Sequence, residues 1–519
     1  MRKVLLLLTC IFAVATTITA QNVGIGTNTP NAAAILDVNS SDKGLLPPRL
    51  STIERNAMPA KTAGLIIFNT NSGCLELFNG VNWINLCSSL PSTVLPKTLL
   101  GGNQSDKAYS IRQTADSGYI IGGSTESSED GDVTGINKGG LDCWVVKLSK
   151  TGIKEWDKVF GGTGYDELVE IKQTADGGYV FAALCGSSAN GDISGTNHGQ
   201  YDYWIVKLDA DGNKAWDVLL GGNQYDYVSA VSQTADGGYI VGGYSTSSAN
   251  GDVTPTSHGN SDYWIVKLNS TGAITWNVLL GGNGEEVLNT IAQTTDGGYI
   301  ATGNTSFGVS GNVTGPVNGG FDFWVVKINS TGAITWNRTI GGAGEEFSYS
   351  VQQTADGGYI VAGNSNSAAS GNITSSTHGD LDMLIVKLDA SGNTTWNNMF
   401  GGSAEERVNE IMQTADGGYI MAGLSWSSTS GNITQNNSGI EDAWIVKIDN
   451  AGNHVWNKLY GGNNSDIATS IRQTFDGGYI FGGYTRSSAN GTVIGTNHDP
   501  SGDSDDFWVV KLDANGNIE

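Results

Sequence analysis

Carboxylates recur through this chain in three sets spaced 60 apart, save for four extra residues in the last copy before Asp506, and carboxylates held close together can bind cations, share protons or cleave glycosidic bonds. The first set, Asp106, Asp166, Asp226, Glu286, Glu346, Glu406 and Asp466, follows a Gly-Gly pair in each copy. The second, Asp116, Asp176, Asp236, Asp296, Asp356, Asp416 and Asp476, sits in a turn phrase of the form D-G-G-Y. The third, Asp142, Asp202, Asp262, Asp322, Asp382, Asp442 and Asp506, stands two residues before a tryptophan position. One lysine per copy (Lys147, Lys207, Lys267, Lys327, Lys387, Lys447 and Lys511) lies inside an apolar run. A lysine there is costly unless paired, so Asp-Lys bridging and turn capping are expected to occupy at least one acid set. The first set is carried forward as a candidate ligand-binding ring.

Other residue types narrow the chemistry further. His198, His258, His378 and His498 share one repeat position, and ligands spread over separate copies do not make a zinc site. Asp209-Ala210-Asp211-Gly212-Asn213 resembles part of a calcium loop, yet the equivalent Asn269-Ser270-Thr271-Gly272 lacks both carboxylates. A hairpin turn is the reading there, with calcium on the acid-rich face as the only cofactor option. Glycoside hydrolysis needs two carboxylates whose surroundings push their pKa values apart, whereas repeated acids have near-identical surroundings. No H-E-x-x-H, G-x-S-x-G or Walker motif occurs, and no catalytic residue is assigned. An enzyme would have to be built from non-repeated residues: Trp426, Phe307, Arg407, Arg486, Glu126, Glu129 and Asp130. Trp426 stands where the other copies have Glu126, Gly186, Thr246, Ser306, Asn366 and Arg486. It is the expected platform for stacking a neutral sugar.

The elements that must position these residues come from the repeat itself. Tyr119, Tyr179, Tyr239, Tyr299, Tyr359, Tyr419 and Tyr479 are spaced 60 apart. Each copy holds four strand-like runs, in the first copy Tyr109 to Thr114, Tyr119 to Ser124, Cys143 to Leu148 and Ile153 to Phe160. Their near-continuous apolar character fits small sheets covered on both faces. The fold expected is all-β: a seven-bladed β-propeller of four-stranded antiparallel blades. Pro96 to Gly102 matches Trp156 to Gly162, and the tail stops one residue short of that tryptophan position. The last blade is therefore expected to be closed by an N-terminal strand.

These signatures (G-Y-x-x-S, D-x-[FW]-[IV]-x-K-[LI] and L-G-G…D) resemble the bacterial secreted β-propeller repeats, SBBP-like, of cell-surface proteins. The resemblance implies the propeller fold over about residues 94–519; chains of this kind are sometimes grouped with secreted endoglucanases. Upstream, Val23-Gly24-Ile25-Gly26-Thr27, Leu36-Asp37-Val38 and Gly44-Leu45-Leu46-Pro47-Pro48-Arg49 resemble an N-terminal module of surface and fibre-like proteins. Residues 21–93 are read as this small β-rich module, for attachment, oligomerisation or spacing. Cys74 and Cys87 bracket a hairpin with Asn79-Gly80 in its turn and are a disulfide candidate. Residues 1–20 read as an export signal: Arg2 and Lys3, an apolar run, and Thr19-Ala20 at the cleavage site. The formal charge of -24 repels nucleic acid, and no later stretch is apolar for long enough to span a membrane as a helix. The function expected is a secreted or cell-surface binding and adhesion propeller with a glycan or surface protein as partner. An endoglucanase-like hydrolase and a purely structural surface protein are the alternatives.

Overall fold

The computed structural model describes residues 23–25, 36–38, 46–58, 61–70, 74–78, 80, 82–85, 98–499 and 501–519. The export signal and Cys87 lie outside the described residues. The chain divides into two compact units, Met1–Ser92 and Thr93–Glu519.

In the larger unit each 60-residue copy folds as one four-stranded antiparallel sheet, in chain order from the inside outward. The first sheet comprises Asp106–Gln113, Tyr119–Thr125, Asp142–Leu148 and Lys154–Phe160. The innermost strand starts three residues before the span read from the sequence. A bulge is the reason: pairing slips between Ala108 and Ser110, leaving Tyr109 unpaired and breaking the alternation that marks a strand in sequence. The second and third strands are buried at every position, because neighbouring sheets cover both faces. This is why D-x-W-[IV]-V-K shows no polar face.

Core clusters accordingly straddle two sheets. Cys143, Val145 and Phe160 of the first pack with Leu168, Phe181 and Trp204 of the second. Fully burying one such large side chain stabilises by about 1.5–3 kcal/mol. The outer-strand Trp156, Trp216, Trp276, Trp336, Trp396 and Trp456 each meet, edge to face, the D-G-G-Y tyrosine of the next sheet, with ring centres 5.5–6.2 Å apart.

The seventh sheet is completed from the other end of the unit. Thr98–Leu100 pairs with the third strand Asp506–Leu512 through Leu100 with Phe507, Leu99 with Trp508, and Thr98 with Val509. A second set of bonds runs around the opposite face: the turn amides of Ala115, Ala175, Ala235, Thr295, Ala355 and Ala415 each donate to the glutamine that ends the next sheet's innermost strand, at 2.8 Å. The seventh, Phe475 to Gln113, is 2.9 Å and joins the last sheet to the first. The unit is a β-propeller of seven such sheets.

In the smaller unit Val23–Ile25 pairs in parallel with Leu36–Val38. A separate sheet combines Arg49–Leu50, Leu65–Asn69, Cys74–Phe78 and Trp83–Asn85. The helix Thr52–Asn56 starts in a capping box, in which the Ser51 amide donates to Glu54 and the Glu54 amide to Ser51 Oγ. Cys74 is disulfide-bonded, while Cys143 and Cys185 in the propeller are free and buried.

Candidate functional site

The three acid sets take three different positions. Those of the second set bridge the lysines, at 2.9–3.0 Å in all seven copies. Each lysine is nearly buried and also donates to the carbonyl of the following residue. Burial raises the Asp176 carboxyl, but hydrogen bonds from Thr174, Lys207 and the Gly178 amide outweigh it and hold the group at about 2.

The first set, expected to meet a ligand, is fully buried instead. Each of its carboxylates accepts the second amide of the Gly-Gly pair at 2.5–2.8 Å. Serines and threonines at the end of the second strand and in the long loop add further bonds, as Ser187 does to Asp166 and Ser365 and Ser367 do to Glu346. These acids tie the loop to the turn and have no surface to offer. The third set is buried as well. Each accepts a loop amide at 2.5–3.2 Å. The four histidines place Nδ1 2.8–3.4 Å from the third-set Asp of their own sheet, so they cap that carboxylate one by one.

First and third sets meet at the sheet junctions. A β-carbon on Gly281 would stand 1.9 Å from Asp262 Oδ1 and 2.6 Å from Glu286 Oε2; only glycine leaves the two carboxylates this space. All seven third-set aspartates have an Oδ1 without a hydrogen-bond partner among the described residues. Burial, reinforced by the facing carboxylate, pushes Asp106 and Asp322 up to about 7. It pushes Asp142, Asp202 and Asp466 up to about 6.

Opposite the glutamine bonds, the long loops share a face with the Gly-Gly turns. The loop of the second sheet is held by its own side chains: Asn190 accepts the Thr163 amide, Asp192 the Gly161 amide, and Asn197 donates to the Cys185 carbonyl. On this face five tyrosines run from the second sheet to the third. Tyr201 lies 6.0 Å from Tyr165, 6.0 Å from Tyr225 and 5.7 Å from Tyr227 between ring centres. Tyr227 stacks on Tyr225 at 5.8 Å and on Tyr244 at 4.9 Å. Tyr165 and Tyr225 remain 38% and 40% exposed. Trp426, by contrast, is half-buried beneath the Arg407 guanidinium, 5.6 Å from its ring centre, and Arg407 is itself paired with Glu405.

The seven innermost strands line a central channel. Two cavities follow one another along it, of about 110 and 280 Å³. The larger holds an ion network: Arg112–Glu170 at 2.7 Å, Lys172–Glu170 at 3.0 Å, Arg112–Glu410 at 3.6 Å, and Arg472–Glu410. Burial works against the charge of Glu410, but Arg472 and Arg112 outweigh it and hold the carboxyl at about 2.

The chain is similar to known proteins over parts of its length. A family model described as a phage tail like trimerisation region matches residues 24–101. The match runs past the junction of the two units and takes in the closing strand. Regulatory protein FlaEY of Caulobacter vibrioides is 24% identical over 231 residues, which is 43% of this chain and 23% of that protein. Among solved structures, the Neurospora crassa Pan2 WD40 domain has a TM-score of 0.42 at 12% identity, over 78% of this chain and 88% of that one. Kuenenia stuttgartiensis hydrazine synthase has a TM-score of 0.43 at 10% identity, over 74% and 93% respectively.

The remaining non-repeated residues are scattered. Arg486 pairs with buried Asp505 at 3.0 Å, Asp130 accepts the Asn103 amide, and Phe307 is exposed. In the calcium-like loop, Asp209 Oδ1 accepts the amides of Asp211 and Asn213. Asn269 does the same for Thr271 and Ala273, so the turn needs an oxygen acceptor and not a charge.

Proposed function

We propose that this chain is an exported, non-enzymatic binding module. Its N-terminal unit gathers copies into a trimer, and each propeller presents the tyrosine arc of its second and third sheets to a neutral glycan. The observation that carries this reading is the arc itself: five phenol rings linked in one run of contacts, two of them exposed, beside a loop fixed by internal hydrogen bonds. Rigid aromatics bury area at low cost in side-chain entropy, and phenol rims supply hydrogen bonds to hydroxyls. A chain of net charge -24 suits a neutral polymer better than an anionic one. The trimer rests on the family match over residues 24–101, and three copies would raise weak single-site binding by avidity. An endoglucanase-like hydrolase is disfavoured, because the carboxylates that face one another are buried structural pairs repeated at every junction.

The test is a neutral-glycan screen followed by Tyr225→Ser, the residue that the first copy carries as Ser105. Affinity should fall about tenfold for loss of one stacking ring. Trp426→Ala should leave it unchanged, since Arg407 already covers that indole. Loss of binding in the Trp426 variant alone would move the site to the sixth sheet and overturn the arc.

A further inference from the structure

The channel network does not balance. Arg112, Lys172 and Arg472 bring three positive charges against the two of Glu170 and Glu410, a surplus of one cation in a strongly acidic protein. Each arginine is anchored to a glutamate and to a backbone carbonyl: Arg112 donates to the Ile111 carbonyl, Ser470 and Glu170, and Arg472 to the Ile471 carbonyl and Glu410. Both glutamates are satisfied too, Glu170 by the Val231 amide and Glu410 by Ser470 and the Ile471 amide. Lys172 has the fewest partners of the three cations. Of its three N–H bonds only one has a partner among the described residues, the Glu170 carboxylate. The wall across from it carries no charge: Thr290, Ser350 and Gln352 offer polar groups and Ala292 and Met412 apolar ones, around about 280 Å³.

We propose that this end of the channel is a second binding site, for a small molecule bearing a single carboxylate. The carboxylate pairs with Lys172 and its uncharged part lies against Thr290, Ser350 and Gln352. The surplus decides the charge of the ligand, because one carboxylate neutralises it whereas a phosphate dianion would leave an excess negative charge beside Glu170 and Glu410. The Lys172 side chain keeps 26% of its surface accessible in the cavity, so a carboxylate can reach it, and a charge-assisted bond there is favourable. The cavity admits a ligand of monosaccharide size. This site is separate from the tyrosine arc, which lies on the loop-bearing face, and each can fail without the other.

Glucuronate, with glucose and equimolar sodium chloride as controls, is the probe for calorimetry and thermal shift on the full chain. The paired variant is Lys172→Met, chosen because the sixth copy carries Met412 at this position and folds with it. Glucuronate should bind one per chain and raise the melting temperature, glucose and chloride should not, and Lys172→Met should weaken binding at least about tenfold, the scale of one charge-assisted bond. A glucuronate response no larger than that of chloride, or one undiminished in Lys172→Met, overturns the proposal. Inorganic phosphate binding more tightly than glucuronate would overturn the charge argument.

Discussion

Asp106 and Asp322 face a second carboxylate across a sheet junction and are pushed up to about 7, with Asp142, Asp202 and Asp466 at about 6. An unfolded aspartate ionises near pH 4, so between about pH 4 and 7 the folded chain keeps protons that the unfolded chain has released. Stability from these groups is therefore greatest at the acid end of that window and falls as pH rises through it. The lysine-bridged set works in the opposite sense: Asp176, held at about 2, stabilises above pH 4 and loses its contribution as pH falls toward 2. Melting temperature measured from pH 3 to 9 should peak at about pH 5 and decline on both sides; a plateau extending to pH 8 would mean that the buried pairs are ionised and compensated. The lysine bridges were legible in the sequence because both partners recur at one interval and an ammonium in an apolar strand has to be paired. Neither the tyrosine arc nor the channel network was legible. Tyr165, Tyr201, Tyr227 and Tyr244 occupy four different positions of the repeat; Arg112, Lys172 and Arg472 share one position and Glu170 and Glu410 another, but the other copies carry uncharged residues there, so neither position stands out as a repeated charge. Trp426 was visible as an exception, but the Arg407 that covers it lies on another strand, and only the fold brings the two together.

At the scale of the sheet, the third-to-fourth strand turn carries more than a change of direction. Gly212 has φ +78°, and a β-carbon there would lie 2.8 Å from the Trp156 ring of the preceding sheet. Gly177, in the first turn, has φ +84° with nothing within 4 Å. Gly177→Ala should cost about 1 kcal/mol for the left-handed backbone alone. Gly212→Ala should cost about 1–3 kcal/mol more, from steric overlap with the indole. Chemical denaturation of the two variants checks this, and equal losses would show that the Trp156 contact adjusts freely. The turns themselves could be read from D-G-G and T-G phrases. Their second role could not, since it depends on which residue of another sheet lies beneath.

Over the whole molecule, two unlike devices add to the core packing between the last and first sheets, a short strand borrowed from the start of the propeller and seven glutamine bonds around one face. The first was foreseeable from the match between Pro96 to Gly102 and Trp156 to Gly162; the second was not, because Gln113 and its equivalents read as ordinary strand ends. Deleting residues 98–100 should expose the edge of Asp506–Leu512 and turn one cooperative transition into early loss of the seventh sheet or aggregation. Gln113→Ala removes one bond and should cost only about 1 kcal/mol. An unchanged melting curve in the deletion would show that the glutamine bonds suffice. The borrowed strand is also the only covalent path from the N-terminal unit into the ring. If that unit is held and the propeller is pulled by a bound polymer, the force enters through Thr98–Leu100 and meets its three residue pairs first. A mechanical fuse is the expected consequence: tension should open this short seam and lengthen the tether before it peels the seven- and eight-residue strands of a sheet formed from continuous chain, which pulling a single molecule from both ends would show as a small first extension.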